Sequence, residues 1–252
     1  MESTKELEES QDIEHEMRKQ AKENNRKFIT LQREFVVYPE VFYPPEDGHA
    51  HFVNSTIYRM ATEEIAKKSR QASIEFLEVG CGAGFIGISV ALSSEKCQVW
   101  ATDIVDEAVK NATANAKLHG VESRFHAVKA NVFDHEEING RKFDMIYWNH
   151  PWGGYGTTTA TKVQPLMRSL LDPGYQGLQS YLSKAKEYLK ESGRLIVTFS
   201  YFYGSEERFT EIASENGWNI KVVDEKKCVQ EMEGKRIEHF TAMVIELIED
   251  VK

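Results

Sequence analysis

One segment constrains this chain more than any other: Phe76-Leu77-Glu78-Val79-Gly80-Cys81-Gly82-Ala83-Gly84-Phe85-Ile86-Gly87. An apolar run stops at alternating glycines and a second apolar run begins, the pattern of strand, tight loop and helix. Gly80, Gly82 and Gly84 lack a Cβ, so the loop is free to take positive φ and to let a ligand approach the backbone. The N-terminus of the following helix points at that ligand, and a cofactor site is the first expectation.

The 252 residues suffice to bury a substantial core, and the composition excludes collagen, a disulfide scaffold and general disorder. Cys81, Cys97 and Cys228 show no C-x-x-C spacing and no clustered histidines beside them. They indicate neither a disulfide framework nor a zinc site, and a reducing, cytoplasmic setting is expected. The opening Met-Glu-Ser-Thr-Lys-Glu-Leu-Glu-Glu lacks the apolar core of a signal peptide, and no apolar run approaches a membrane span. A net charge of −9 argues against nucleic acid as a partner, because sequence-independent affinity for phosphates comes largely from Lys and Arg.

Residues 1–34 are dense in Glu, Lys and Arg, with Ile13, Met17, Ala21, Phe28, Ile29 and Leu31 near helical spacing and no Pro or Gly. A charged helical extension is expected there, either a solvated helix lying on the domain or a lid or partner-binding arm, followed by one domain over 35–252. Pro39, Pro44 and Pro45 make Phe35–Gly48 an extended loop, read as an aromatic plug at the domain edge or as a flap over the cofactor cleft. Helical period returns over His49–Ser69, and Ser73–Val79 is the first strand of the main sheet. Beyond the glycine loop a helix is expected over Phe85–Leu92, a strand over Gln98–Asp103, and a helix over Asp106–His119 capped by Asp106 and stopped by Gly120. Strands follow at Arg124–Ala130 and Phe143–Trp148, a helix at Gly177–Lys190, a strand at Arg194–Ser200 and a helix at Ser205–Asn216. Asn219–Glu225 and His239–Leu247 read as strands with no helix between them. This alternation predicts an α/β fold, a doubly wound and mostly parallel sheet with a C-terminal antiparallel hairpin.

Two cofactors compete for the glycine loop. Gly82-Ala-Gly-Phe-Ile-Gly87 satisfies G-x-G-x-x-G and Asp103 is placed to bind ribose hydroxyls, so an NAD-dependent oxidoreductase stays open. Glu78 argues the other way, because a buried carboxylate repels a pyrophosphate and attracts a cation.

These residues resemble the first motif of class I S-adenosylmethionine-dependent methyltransferases, E/D-x-G-x-G-x-G, which Glu78-Val-Gly-Cys-Gly-Ala-Gly84 matches in full. The resemblance runs from about Val41 to Leu247 and implies a Rossmann-like fold with S-adenosyl-L-methionine as cofactor. It implies that Glu78 helps hold the cationic methionine end, directly or through water, and that Asp103 binds both ribose hydroxyls. Near the adenine the family commonly has Asp and an apolar pair; here Asn131-Val132-Phe133 stands, leaving Asn131 as an uncharged acceptor for the adenine amino group.

Phe143–Trp148 runs into Asn149-His150-Pro151-Trp152-Gly153-Gly154, a polar-proline-aromatic cluster at a strand's C-terminal end that is positioned to face the cofactor. It resembles the N/D-P-P-Y/F/W motif of methyltransferases acting on planar nitrogens. The resemblance implies that the Asn149 oxygen and the carbonyl of residue 150 accept from the target nitrogen, and that Trp152 stacks on its plane. His150 replaces the usual proline; facing the cleft it contacts substrate or takes a proton, and facing away it is a satisfied loop histidine. Val41-Phe-Tyr-Pro-Pro-Glu-Asp-Gly48 and Leu171-Asp-Pro-Gly-Tyr-Gln-Gly-Leu178 are similar to segments of the release-factor glutamine methyltransferase (HemK-like) group. The implied activity is N-methylation of a planar nitrogen, the amide of a protein glutamine or of a small molecule, with a helper subunit left open. The alternatives are a nucleic-acid amino-group methyltransferase and a non-catalytic cofactor-binding partner protein.

Overall fold

The computed structural model describes residues 25–44, 48–68, 72–153, 165–232 and 236–250. Its strands are β1 (Arg26–Thr30), β2 (Arg33–Val37), β3 (Ile74–Val79), β4 (Cys97–Asp103), β5 (Phe125–Lys129), β6 (Phe143–Trp148), β7 (Leu189–Phe199), β8 (Trp218–Met232) and β9 (Arg236–Glu249). The α-helices are α1 (His49–Lys67), α2 (Phe85–Ser93), α3 (Asp106–Leu118), α4 (Gln176–Tyr188) and α5 (Glu206–Glu215). Seven strands form one sheet in the order β5-β4-β3-β6-β7-β9-β8. The first five are parallel, β9 is antiparallel to β7, and β8 closes the sheet as a hairpin with β9.

Strand alternation sorts the core into two layers. Leu77 and Val79 pack with Leu178 and Tyr181 of α4 and Phe209 and Ile212 of α5. Phe76 packs with Ile57 and Met60 of α1 and Ile86 and Ile88 of α2 on the opposite face. Glu78, two residues after Phe76, therefore faces α2. The chain builds outward from β3 through β4 to β5, then returns to the other side of β3 with β6 and β7. The order reverses between β3 and β6, which opens a crevice at their C-terminal ends, where ligands of doubly wound folds bind.

The doubly wound sheet and its C-terminal hairpin follow the sequence pattern, with corrections at the edges. A helix was expected through residue 34; residues 1–24 lie outside the described residues, and Arg26–Val37 is an antiparallel hairpin instead, with Leu31 and Gln32 at φ 50 and 60 in its turn. Helical spacing misled there because the alternation of Phe28 and Thr30, both buried, fits a strand equally well. Asp106 is the first residue of α3 rather than its cap; the cap is Val105 and the Asp106 carboxylate pairs with Lys129. α4 ends two residues earlier than expected and β7 begins at Leu189, with an irregular register against β6 that absorbs the polar Lys190–Gly193 stretch.

Candidate active site

After β3 the backbone turns through Gly80, Gly82 and Gly84 at φ 62, 54 and 79. The need is most direct at Gly80, where a Cβ would lie 2.7 Å from the Trp148 indole nitrogen at the end of β6. Gly84 starts α2 and lies behind the loop, while Gly80 and Gly82 line a cavity of about 260 Å³ at the β3–β6 crevice. Glu78, Asp103, Asn131, Val132, Asn149 and Pro151 line the same cavity.

Glu78 is buried, and its Oε2 accepts from the Gly87 backbone amide at 2.9 Å. Burial pushes its carboxyl up to about 8; the neighbouring Asp103 charge adds to this, and the Gly87 and Ile86 amides oppose it. Gly87 is required for this contact, since a Cβ there would sit 2.7 Å from Glu78 Oε2. Asp103 ends β4, with Oδ2 accepting from Gly82 N and Oδ1 from Val105 N, each at 2.9 Å. Burial raises its pKa against the pull of the Gly82, Val105 and Ile104 amides. Each oxygen keeps a second lone pair for a ligand, so the carboxylate is pre-set to receive two hydroxyls. Asn131 is exposed to the cleft, and Val132 beside it is buried with φ 59, an uncommon conformation for a β-branched residue that fixes this rim of the cavity.

Asn149 follows β6 directly, with its side chain exposed and its Oδ1 accepting from Thr198 Oγ1 at 2.5 Å. His150 turns the other way. It is buried and outside the cavity lining, with Nε2 3.0 Å from Asp172 Oδ2. Burial lowers its pKa and Asp172 opposes the shift, so the ring is neutral at pH 7 and placed to hold the loop. Trp152 is also outside the lining. Its ring packs against His49, Tyr203 and Phe240 at centroid distances of 5.3, 6.0 and 5.9 Å, so it backs His49, which does line the cavity.

The structure adds residues that the sequence reading did not single out. Asn111 and Asn115, buried one turn apart on α3, hold the end of β2 and the strap that follows it: Asn115 Oδ1 accepts from Val36 N in β2 and Asn111 Oδ1 from Tyr38 N just beyond it, both at 3.0 Å. Asn115 Nδ2 also donates to Ala83 O in the glycine loop at 2.9 Å. An asparagine pair at i, i+4 inside an alanine-rich helix was a visible signal, because buried amides need partners. The strap continues into Glu40, Val41 and Phe42, which line the cavity, while Phe35, Val37 and Val41 are buried, so both readings of Phe35–Gly48, plug and cover, have residues in this segment; residues 45–47 lie outside the described residues. Among the described residues no group of three or more His, Cys, Asp or Glu is placed to hold a metal ion, and no helix is long and apolar enough to cross a membrane.

A doubly wound sheet with a glycine loop after its first strand, an acid ending the second and a polar residue after the fourth is the arrangement of nucleotide-cofactor-binding α/β domains. The chain belongs to the methyltransferase domain family, which it matches over residues 70–242. It is similar to a bifunctional methyltransferase of Rickettsia felis, at 29% identity over 76% of this chain and 40% of that protein. It is also similar to a release factor glutamine methyltransferase of Aquifex aeolicus, at 31% identity over 60% of this chain and 50% of that protein. The chain thus spans half or less of the length of these relatives. The crystal structure of a SAM-dependent methyltransferase from Agrobacterium tumefaciens shares the fold, with a TM-score of 0.57 at 17% identity, covering 91% of this chain and 71% of that one.

Proposed function

We propose that this chain transfers a methyl group from S-adenosyl-L-methionine to a planar amide nitrogen, the side-chain amide of a protein glutamine. The observation that carries this reading is that Glu78, Asp103 and Asn149 line one cavity at the β3–β6 crevice, the first two suited to a cofactor and the third to an acceptor. The relative from Aquifex aeolicus, named for methylating a release factor glutamine, supports the choice of acceptor.

The cleft fits the cofactor by the chemistry of its groups. Two carboxylates suit a cationic methionine end and a ribose diol; the ribose acid is common to dinucleotide sites, and it is Glu78 beside the glycine loop that disfavours a pyrophosphate. When bound, the cofactor supplies an activated methyl on a sulfonium. The residues then have to orient an acceptor. Asn149 Oδ1 and the backbone carbonyl of His150 accept the two N–H groups of the amide, which aims its nitrogen at the methyl. Such alignment accounts for about 7 to 11 kcal/mol of barrier lowering. Pro151 borders this end of the cavity, where it restrains the loop. A cytoplasmic site of action fits the buried free thiols of Cys81 and Cys97.

Isothermal titration with S-adenosylmethionine and with NAD tests the cofactor; binding of NAD alone would overturn the reading. Incubation of a purified release factor with labelled S-adenosylmethionine tests the acceptor, with mass gain on a glutamine expected. Asn149→Ala is expected to abolish that gain while leaving cofactor affinity within about threefold, since its amide serves the acceptor.

A further inference from the structure

We propose that Thr198 is a positioning residue for the transfer: its hydroxyl holds the Asn149 side chain with the oxygen facing the acceptor. This rests on the reading of Asn149 given above. Thr198 lies on β7, fully buried, one residue beyond Val197, which pairs with Trp148 of β6. Asn149 is likewise one residue beyond Trp148, so the parallel register brings the two side chains together at the crevice floor. The contact is Thr198 Oγ1 to Asn149 Oδ1 at 2.5 Å.

A carboxamide has two ends, and only one accepts. An acceptor amide brings N–H donors, so Asn149 has to present oxygen to it; rotation by half a turn about its last bond would present N–H to N–H. The Thr198 hydroxyl hydrogen opposes that rotation. It is buried, and Asn149 Oδ1 is the acceptor it has; turning Nδ2 toward it would leave the hydroxyl hydrogen without a partner, which is costly away from water. Because a carbonyl oxygen has two lone pairs, Oδ1 receives Thr198 on one and keeps the other for the target nitrogen. A valine at this position keeps the shape and removes the donor, whereas a serine keeps the donor and removes a methyl.

The test uses the full chain as wild type, Thr198→Val and Thr198→Ser, with a purified release factor as acceptor and S-adenosylmethionine as donor. Thr198→Val is expected to lower kcat about 10- to 100-fold, as a misplaced reacting group does, with the cofactor Kd within about twofold. Thr198→Ser is expected to recover kcat to within about threefold, which a purely structural role of the buried methyl would not do. The second readout is the side-chain amide resonance pair of Asn149 in labelled protein, assigned by its loss in Asn149→Ala. That pair is expected to move in Thr198→Val and to stay in Thr198→Ser. Wild-type kcat in Thr198→Val, or equal losses in both variants, would overturn the proposal. Failure of the wild type to methylate the release factor would instead overturn the proposed acceptor; the resonances then decide, and an unmoved pair in Thr198→Val would refute the role of Thr198.

Discussion

His150 Nε2 donates to Asp172 Oδ2 across 3.0 Å, and the same carboxylate accepts from the amides of Gly177 and Leu178 at 2.9 and 2.8 Å. The first turn of α4 and the acceptor loop are thereby tied to one side chain. A proline at position 150 would stiffen the loop through its ring; here a hydrogen bond does so. His150→Ala is expected to destabilise the fold by about 2 to 4 kcal/mol, from the cavity it leaves and the partner it removes from a buried carboxylate. Urea unfolding at pH 7.5 checks the value, and a loss below about 0.5 kcal/mol would show that the pair holds nothing.

The same pair sets an acid limit. His150 has a folded pKa below its unfolded value near 6.5, so its contribution is present above about pH 6.5 and is lost as pH falls from there toward the folded pKa. Asp172 is held low by His150 and the two α4 amides despite its burial, so its contribution is present above about pH 4 and is lost below that. The wild type is therefore expected to lose stability as pH falls below about 6.5, and His150→Gln to lose less over the same range. Parallel pH profiles for the two proteins would refute the assignment.

Glu78 runs in the opposite sense. With its carboxyl at about 8 it holds a proton in the folded state across a range where the unfolded chain has released it. Its contribution is present below about pH 4.3 and is lost as pH rises through 8, and Glu78→Gln is expected to flatten that decline. Binding of a cation reverses the burial penalty, so S-adenosylmethionine is expected to release nearly one proton per site at pH 7. Titration calorimetry in buffers of different ionisation enthalpy reads this number directly; a value near zero would separate Glu78 from the cationic end. The same substitution should weaken S-adenosylmethionine binding at pH 8 at least tenfold, as loss of a charged hydrogen bond does.

Asp103→Asn leaves one acceptor oxygen where two are used. Loss of a charged acceptor to a hydroxyl is expected to raise the S-adenosylmethionine Kd about 10- to 150-fold, the equivalent of about 1.5 to 3 kcal/mol. Thermal unfolding of the unliganded variant should show only a modest loss, because the remaining oxygen still accepts from one of the Gly82 and Val105 amides while the other loses its acceptor. An unchanged Kd would place the ribose elsewhere.

The glycine loop, the acid after β4 and the asparagine after β6 were legible because each is dictated by local chemistry: positive φ, a strand end, a polar break in an apolar run. The outer edges were not. Arg26–Val37 carries both helical and strand periodicity, and pairing between β1 and β2 decides between them. The side on which His150 falls depends on Asp172, 22 residues away, and no periodicity in the sequence joins the two. Thr198 is concealed more fully, a polar residue in an apolar strand whose partner is set only by the register of β6 against β7.

Asn115 binds both the end of β2, from which the strap leaves, and the glycine loop, and this predicts coupling between fold and cofactor. Its Nδ2 reaches Val36 O at 2.8 Å and Ala83 O at 2.9 Å, while Asn111 Nδ2 also donates to Val36 O at 2.8 Å. Asn115→Ala leaves the half-buried Val36 amide and the buried Ala83 carbonyl short of partners, at a cost of about 1 to 3 kcal/mol. Asn111→Ala removes the Tyr38 anchor at similar cost, and because both side chains serve Val36 the double variant is expected to depart from additivity. The consequence reaches the cleft, since Val41 and Phe42 follow the strap and line it. Hydrogen exchange at Val36 and Tyr38 should quicken in Asn115→Ala, and the S-adenosylmethionine Kd should rise with it. Faster exchange with an unchanged Kd would show that the strap covers the cavity without contributing to binding.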